Sequence, residues 1–342
     1  MTEQPLRIVG APGSPYSRKL RAVLRYRRIP YAWVQRGSRE ARGLPRPRIE
    51  LLPQLILAGA DGAPEALVDS TPLIRRLETL RPGRSVIPPD PILAFLDTLL
   101  EDYADEWLTK AMFHYRWAYR ADIAKAAKVL PRWSRTDQPE SQAAALGRAF
   151  TERQIARLAV VGSSETTAPV IEESYRRLLR FLDAHLEGCR FVLGGRPCAA
   201  DFGLYGQLTQ LVGFDPTPSA LALDTAPRLV AWVETTEDLS GLEPSADDWM
   251  DRESLPTSLR ALLAEVGRVY APFLLANAKA IAAGAAEVEC SIDGRAWVQQ
   301  PFPYQAKCLR WLRDAYGGLA HADRHAVDAL LAGTGCEQLF TP

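Results

Sequence analysis

Residues 6–24 read Leu6-Arg7-Ile8-Val9-Gly10-Ala11-Pro12-Gly13-Ser14-Pro15-Tyr16-Ser17-Arg18-Lys19-Leu20-Arg21-Ala22-Val23-Leu24, and this stretch sets the fold. Leu6 to Val9 is a short run with strand character, stopped by Gly10-Ala11-Pro12-Gly13. Ser14-Pro15 then opens a helix. The serine hydroxyl accepts an orphan amide at the N-cap, and proline at the first helical position lacks an amide that would have had no partner. Tyr16, Leu20, Val23 and Leu24 follow at i, i+4, i+7 and i+8, an apolar helical stripe. Arg18, Lys19, Arg21, Arg25 and Arg28 are assigned to the solvent side.

Working outward, Pro30 ends this helix and Tyr31-Ala32-Trp33-Val34-Gln35 reads as a second strand. The segment from Arg36 to Arg48 carries Gly37, Gly43, Pro45 and Pro47 and is too broken for a long helix. Leu52 to Leu57 and Glu65 to Val68 are two strands joined at Ala60-Asp61-Gly62, a hairpin signal. Asp69-Ser70-Thr71-Pro72 caps a helix carrying Leu73, Ile74, Leu77 and Leu80. The expected order is β-α-β-α-β-β-α. Residues 81–91 hold four prolines in eleven positions and read as a linker.

Beyond the linker the sequence is helical. Ile171, Tyr175, Leu178, Leu179, Leu182 and Leu186 form one stripe, and Ala200, Leu204, Tyr205, Leu208 and Leu211 another. From about Ser245 a further block begins, with a helix near Ser258 to Ala283 interrupted by Pro272. A hairpin from Val288 to Gln299 turning at Asp293-Gly294 follows, then helices near Tyr304 to Tyr316 and Ala322 to Leu331. The expected domains are 1–82 (α/β), 92–244 (all helical) and 245–342, an extension packed on the helical domain.

Composition narrows the function classes. A chain of 342 residues exceeds one ordinary domain, and 47% hydrophobic with 24% charged residues excludes wholesale disorder. Acidic and basic residues balance at 41 each, which argues against a nucleic-acid partner held by a general phosphate field. No apolar run reaches the roughly 18 residues needed to cross a bilayer, so no membrane is expected. The polar start, Met1 to Pro5, gives no secretory signal. Five scattered cysteines without a C-x-x-C pair fit a reducing cytoplasm. His321 and His325 stand at i, i+4 but have no third ligand at a familiar spacing, so no metal is expected.

The ordered set Ser14-Pro15-Tyr16-Ser17, Leu52-Pro53 and Asp69-Ser70 resembles the thioredoxin-like, glutathione-binding domain of cytosolic glutathione transferases. Phe191-Val192-Leu193-Gly194-Gly195-Arg196-Pro197-Cys198-Ala199-Ala200-Asp201-Phe202 is similar to the helix-capping segment of that family's all-helical second domain. The resemblance covers roughly residues 5 to 240 and leaves the extension without a counterpart. It implies a homodimer that takes glutathione as co-substrate. Ser14 would be the serine-type thiol-contacting residue, with Tyr16 and Ser17 in reserve. Leu52-Pro53 would be a cis-proline whose preceding backbone pairs with the cysteinyl part of glutathione. Asp69 and Ser70 would hold the γ-glutamyl group. Arg36, Arg39, Arg46 and Arg48 are available for the glycyl carboxylate. The electrophile pocket would be lined from the stretch Glu101 to Arg120, with Tyr103 and Trp107 on one face. One departure stands out: the family's Ser or Thr before the second-domain aspartate is Cys198 here, so Asp201 must cap that helix largely alone.

The chemistry fits these residue types. Glutathione becomes a nucleophile as its thiolate, and a hydroxyl donor at a helix N-terminus stabilises that anion through a hydrogen bond and the positive end of the helix dipole. Serines where related proteins carry Cys-Pro-Tyr-Cys cannot form a mixed disulfide, so thiol–disulfide exchange is excluded at this site. The function expected is a glutathione-dependent transferase acting on an apolar electrophile. The alternative is a non-catalytic ligand-binding or interaction protein on the same fold.

Overall fold

A computed structural model describes residues 5–59 and 61–341. Ala60, in the expected hairpin turn, lies outside the described residues. The chain opens with β1 (Leu6–Gly10), α1 (Pro15–Tyr26), β2 (Tyr31–Gln35), β3 (Gln54–Ala58), β4 (Pro64–Val68) and α2 (Ser70–Leu80). Between β2 and β3 there is only a 3-10 turn, Glu40–Gly43, where the β-α-β-α-β-β-α order has its second helix. The glycines and prolines of 37–47 explain the loss. The sheet runs β2-β1-β3-β4, with β1 and β2 parallel and the remaining pairs antiparallel. The pleat sorts the side chains. Ile8 and Leu55 face the core under α1 and α2, whereas Val9, Ile56 and Ala66 form a smaller cluster with Val34, Leu44 and Leu52 on the other face.

The helices continue with α3 (Pro91–Glu106), α4 (Leu108–Ala118), α5 (Arg120–Val129), α6 (Glu140–Ile155), α7 (Leu158–Val161), α8 (Ala168–His185), α9 (Ala199–Leu211), α10 (Pro216–Thr225) and α11 (Pro227–Thr236). Asp90 starts α3 by accepting the amides of Ile92 and Leu93 at 2.9 and 3.0 Å. α9 is the hub on which α1 and α3 both pack. Gly206 lets α1 approach, since a Cβ there would stand 2.6 Å from the Pro15 carbonyl oxygen.

The α9 N-terminus solves the Cys198 problem with carboxylates. Asp201 accepts the amides of Cys198 and Val192, both at 2.9 Å, and the buried Asp97 of α3 accepts the Ala200 amide at 2.7 Å. The Cys198 sulfur accepts the Asp201 amide while its thiol donates to the Asp201 carboxylate, so the pair still closes a capping box. Burial pushes the Asp201 carboxyl up to about 6.

The polar face of α1 is an interface, which corrects its assignment to solvent. Arg18, Arg21 and Arg25 converge on Glu237, and Lys19 is fully buried between Glu101 (2.7 Å) and Asp105. Burial alone would lower the Lys19 pKa, but Asp105 and Glu101 outweigh it and hold the ammonium above its ordinary range. Periodicity marks a helix face as polar; it cannot say whether water or opposite charge meets it.

The extension contains α12 (Thr257–Glu265), a π-helical turn Val266–Tyr270, α13 (Ala271–Ala282), the β5 (Val288–Ile292) and β6 (Arg295–Gln299) hairpin, α14 (Pro303–Gly317) and α15 (His321–Leu331). The hairpin turns at Asp293-Gly294, both with positive φ. The helix carries on through Pro272, which sits in the first turn of α13 just after the π turn. α12 packs on α8, and α14 and α15 pack on α3. Polar ties reinforce this docking: Tyr270 donates to Asp102 at 2.6 Å, and Arg177 forks onto Glu265 at 2.7 and 3.0 Å.

Candidate active site

Strand register brings Ser14, Leu52-Pro53 and Asp69-Ser70 to one end of the sheet. Gln54 is paired with Val9 on one side and Val68 on the other, and Gly10 is paired with Gln35. The loop after β1, the Leu52-Pro53 bond before β3, the turn after β4 and Arg36 after β2 therefore emerge side by side. The Leu52-Pro53 peptide is cis, as expected.

Ser14 caps α1. Its oxygen accepts the Ser17 amide at 3.2 Å, which commits one lone pair and leaves the hydroxyl proton for another acceptor. Ser14 and Leu52 open onto a cleft of about 670 Å³ whose near wall includes Arg36 and Gly37. Its far wall comes from Met112, Phe113, Arg116 and Trp117 of α4, Trp133, and Phe150 and Arg153 of α6. Arg116 is buried and fixed, holding Asp215 at 2.8 and 2.9 Å and donating to the Gly13 carbonyl at 3.3 Å, so α4 is clamped to the loop that carries Ser14.

The reserve hydroxyls lie elsewhere. Tyr16 donates to the Asp105 carbonyl at 2.9 Å, and burial, followed by Glu106 and Asp105, holds its pKa well above the ordinary phenol range. Ser17 is fully buried and accepts the Ala11 amide at 3.4 Å. Neither lines the cleft.

Tyr103 and Trp107, expected in the electrophile pocket, are core residues at 1% and 2% exposure. Trp107 donates to Ser174 at 2.8 Å and packs on Tyr270, Phe273 and Trp297 of the extension, and Tyr103 meets Tyr270 edge-on. The aromatic stripe points to α8 and the extension, and the next turns of the same helical run, Met112 to Trp117, face the cleft. Among the described residues, none beyond 244 lines that cleft. Phe113, Arg116 and Trp117, within the same Glu101 to Arg120 stretch, line the cleft, whereas Tyr103 and Trp107 do not. Trp133, Phe150 and Arg153 gave no motif to find.

Asp69 has a positive φ of 79° and precedes α2 without capping it through its side chain. Ser70 begins α2, is buried, and makes no side-chain hydrogen bond among the described residues. His114, also in the aromatic stretch, bridges Ser163 at 2.8 Å and Glu172 at 3.3 Å, and burial lowers its pKa despite Glu172. Among the described residues no group of His, Cys, Asp and Glu is arranged to hold a metal ion, and no helix is long and apolar enough to cross a membrane.

Two family descriptions match the sequence: the glutathione S-transferase N-terminal domain over residues 8–85 and the glutathione S-transferase C-terminal domain over residues 143–239. Together they span about half of the chain. The chain belongs to the glutathione transferase family. No curated protein matches its sequence. Among solved structures, this transferase is similar to a glutathione transferase from Burkholderia graminis at 16% identity, over 68% of this chain and 87% of that one, with a TM-score of 0.43. It is similar to a Tau class glutathione S-transferase from mango, Mangifera indica, at 17% identity, over 73% and 94% of the two chains, with a TM-score of 0.41. It is also similar to a maleylacetoacetate isomerase from Anaeromyxobacter dehalogenans at 16% identity, over 75% and 99%, with a TM-score of 0.37.

Proposed function

We propose that this transferase binds glutathione along the Ser14 end of its sheet and directs the thiolate at an electrophile seated in the adjoining cleft. One observation carries the reading: Ser14, cis Leu52-Pro53 and Asp69-Ser70 stand side by side through the Val9–Gln54–Val68 register. In this arrangement the Leu52 backbone pairs with the cysteinyl unit. The α2 N-terminus with Ser70 takes the γ-glutamyl carboxylate, and Asp69 takes the ammonium. Arg36 is the cation nearest to hand for the glycyl carboxylate, since it lines the cleft and its ion pair with Glu50 is exposed and long at 3.6 Å.

The catalytic work is electrostatic. Lowering a thiol pKa by about two units takes roughly 2.7 kcal/mol of preferential thiolate stabilisation. The free proton of Ser14 at the α1 N-terminus supplies a hydrogen bond to sulfur on top of the helix dipole. The second substrate follows from the cleft wall. Phe113, Trp117, Trp133 and Phe150 offer apolar faces, while Arg153 and Arg157 bring positive charge with no ion pair to an acid among the described residues. The electrophile is therefore an apolar, aromatic-sized molecule bearing an anionic group. A homodimer working in the cytoplasm completes the proposal, the compartment being supported by five free cysteines.

Titrating the protein with glutathione near neutral pH tests the reading directly. A thiolate absorbance difference band and heat of binding are expected, and neither appearing at millimolar glutathione refutes it.

A further inference from the structure

The candidate glutathione subsites differ in how open they are. Ser14 and Leu52 line the cleft, but Ser70 is only 3% exposed and the Asp69 carboxylate already has a partner. The Tyr304 phenol, from the first turn of α14, donates to Asp69 Oδ2 at 2.7 Å. Here the extension touches a residue of the proposed thiol-binding row.

Tyr304 is delivered there by a built segment. Its ring stands edge-on to Trp311 with centroids 6.2 Å apart and tilts against Phe302 at 6.4 Å. The Lys307 ammonium lies 4.1 Å from the Trp311 ring centre. Asn277 of α13 clamps the Phe302 backbone from both sides at 2.8 and 3.0 Å, and Gln305 donates to the Glu106 carbonyl and carboxyl at 3.2 and 3.1 Å. Burial, with the Asp69 charge behind it, pushes the phenol above its ordinary range, so it stays a neutral donor throughout the working pH range.

We propose that Tyr304 is an internal competitor at the thiol site that lowers its affinity for γ-glutamyl thiols: it occupies Asp69 in the empty protein and yields that carboxylate to the ammonium of an incoming γ-glutamyl group. The inference rests on the glutathione reading above. An ammonium makes a charge-assisted pair with Asp69 and so outcompetes a neutral phenol. A thiol without that group gains nothing at this end and reaches only Ser14 and Leu52. The intrinsic affinity for glutathione is reduced by the fraction of molecules in which Tyr304 still holds Asp69, and removing the phenol removes that reduction.

The test is Tyr304→Phe, which keeps the packed ring and removes only the donor. Binding is measured by calorimetry with two probes: glutathione, and N-acetyl-cysteinylglycine, which keeps the thiol and the glycyl carboxylate but lacks the γ-glutamyl unit. Tyr304→Phe is expected to bind glutathione about three- to tenfold more tightly and the truncated thiol no differently. Glutathione binding that is unchanged or weaker in Tyr304→Phe overturns the proposal, as does equal tightening for both probes. Asp69→Asn separates this from the parent reading. If Asp69→Asn weakens glutathione while Tyr304→Phe changes nothing, the glutathione site stands and the role of Tyr304 falls. If the unmodified protein and Tyr304→Phe both fail to bind glutathione, both fall.

Discussion

The indole of Trp107 lies against that of Trp297, ring centres 5.2 Å apart and both side chains buried, which joins the first helical run of the second domain to the hairpin of the extension. Tyr270 and Phe273 complete the cluster. The extension is thus part of the helical core, and its removal strips α3 and α8 of apolar cover.

Trp297→Ala should destabilise the protein by about 3–5 kcal/mol, the usual cost of truncating a buried aromatic. Denaturant unfolding measures it. Truncation after Ser245 should yield aggregating or unfolded protein. A soluble remnant of equal stability would show that these faces do not depend on one another.

Ser14→Ala should raise the pKa of bound glutathione and slow conjugation about 10- to 100-fold while leaving glutathione affinity nearly intact, since the hydroxyl acts on sulfur and on one amide of α1. Loss of the cap adds about 1 kcal/mol of destabilisation. Tyr16→Phe is the control. Its hydroxyl is spent on the Asp105 carbonyl, so the thiolate band should persist unchanged. If the band disappears in Tyr16→Phe and survives in Ser14→Ala, the hydroxyl has been misassigned.

Local signals in the sequence carried the sheet unit well. Ser14-Pro15, Asp69-Ser70 and the Asp293-Gly294 turn are short-range chemistry, and each is where it was expected. What failed was long-range. Nothing in the sequence around Tyr103 and Trp107, at the α3–α4 junction, says that the extension, more than 150 residues later, will cover that face. Lys19 looks like a surface lysine until Glu101 and Asp105 come to meet it. Tyr304 sits far from Asp69 in the sequence, and no spacing rule links them.

On the proposed reading, Arg153 and Arg157 favour an anionic electrophile in the cleft they line. Arg157→Gln should raise KM for an aromatic electrophile carrying a carboxylate about three- to tenfold, in line with one charge-assisted contact, and leave a neutral aromatic electrophile unaffected. Steady-state kinetics with a matched pair of substrates decides this. An equal rise for both would mean that the arginine only shapes the wall.

Glu106 offers a pH test whose sign can be worked out. Burial first, then the charges of Asp102 and Asp105, push its carboxyl up to about 8. In the unfolded chain it titrates near about 4.3. Between those limits the folded protein holds a proton that the unfolded chain has released, so this group lowers stability as pH rises, with the full loss reached above about pH 8. Asp102, pushed to about 7 by burial, acts in the same direction. Other groups oppose them. Lys110, pushed down to about 7 by burial, adds stability as pH climbs from there, and the buried His114 and His185, lowered by desolvation, do so below about pH 6.5. The overall profile therefore mixes signs, and the informative quantity is a difference. Glu106→Gln keeps the shape and removes the titration. Its stability relative to the unmodified protein should rise with pH, by up to about 4 kcal/mol between about pH 5 and pH 8.5. Denaturant unfolding of both proteins across that range reads it out, and a difference that stays flat with pH means that Glu106 is not held protonated in the fold.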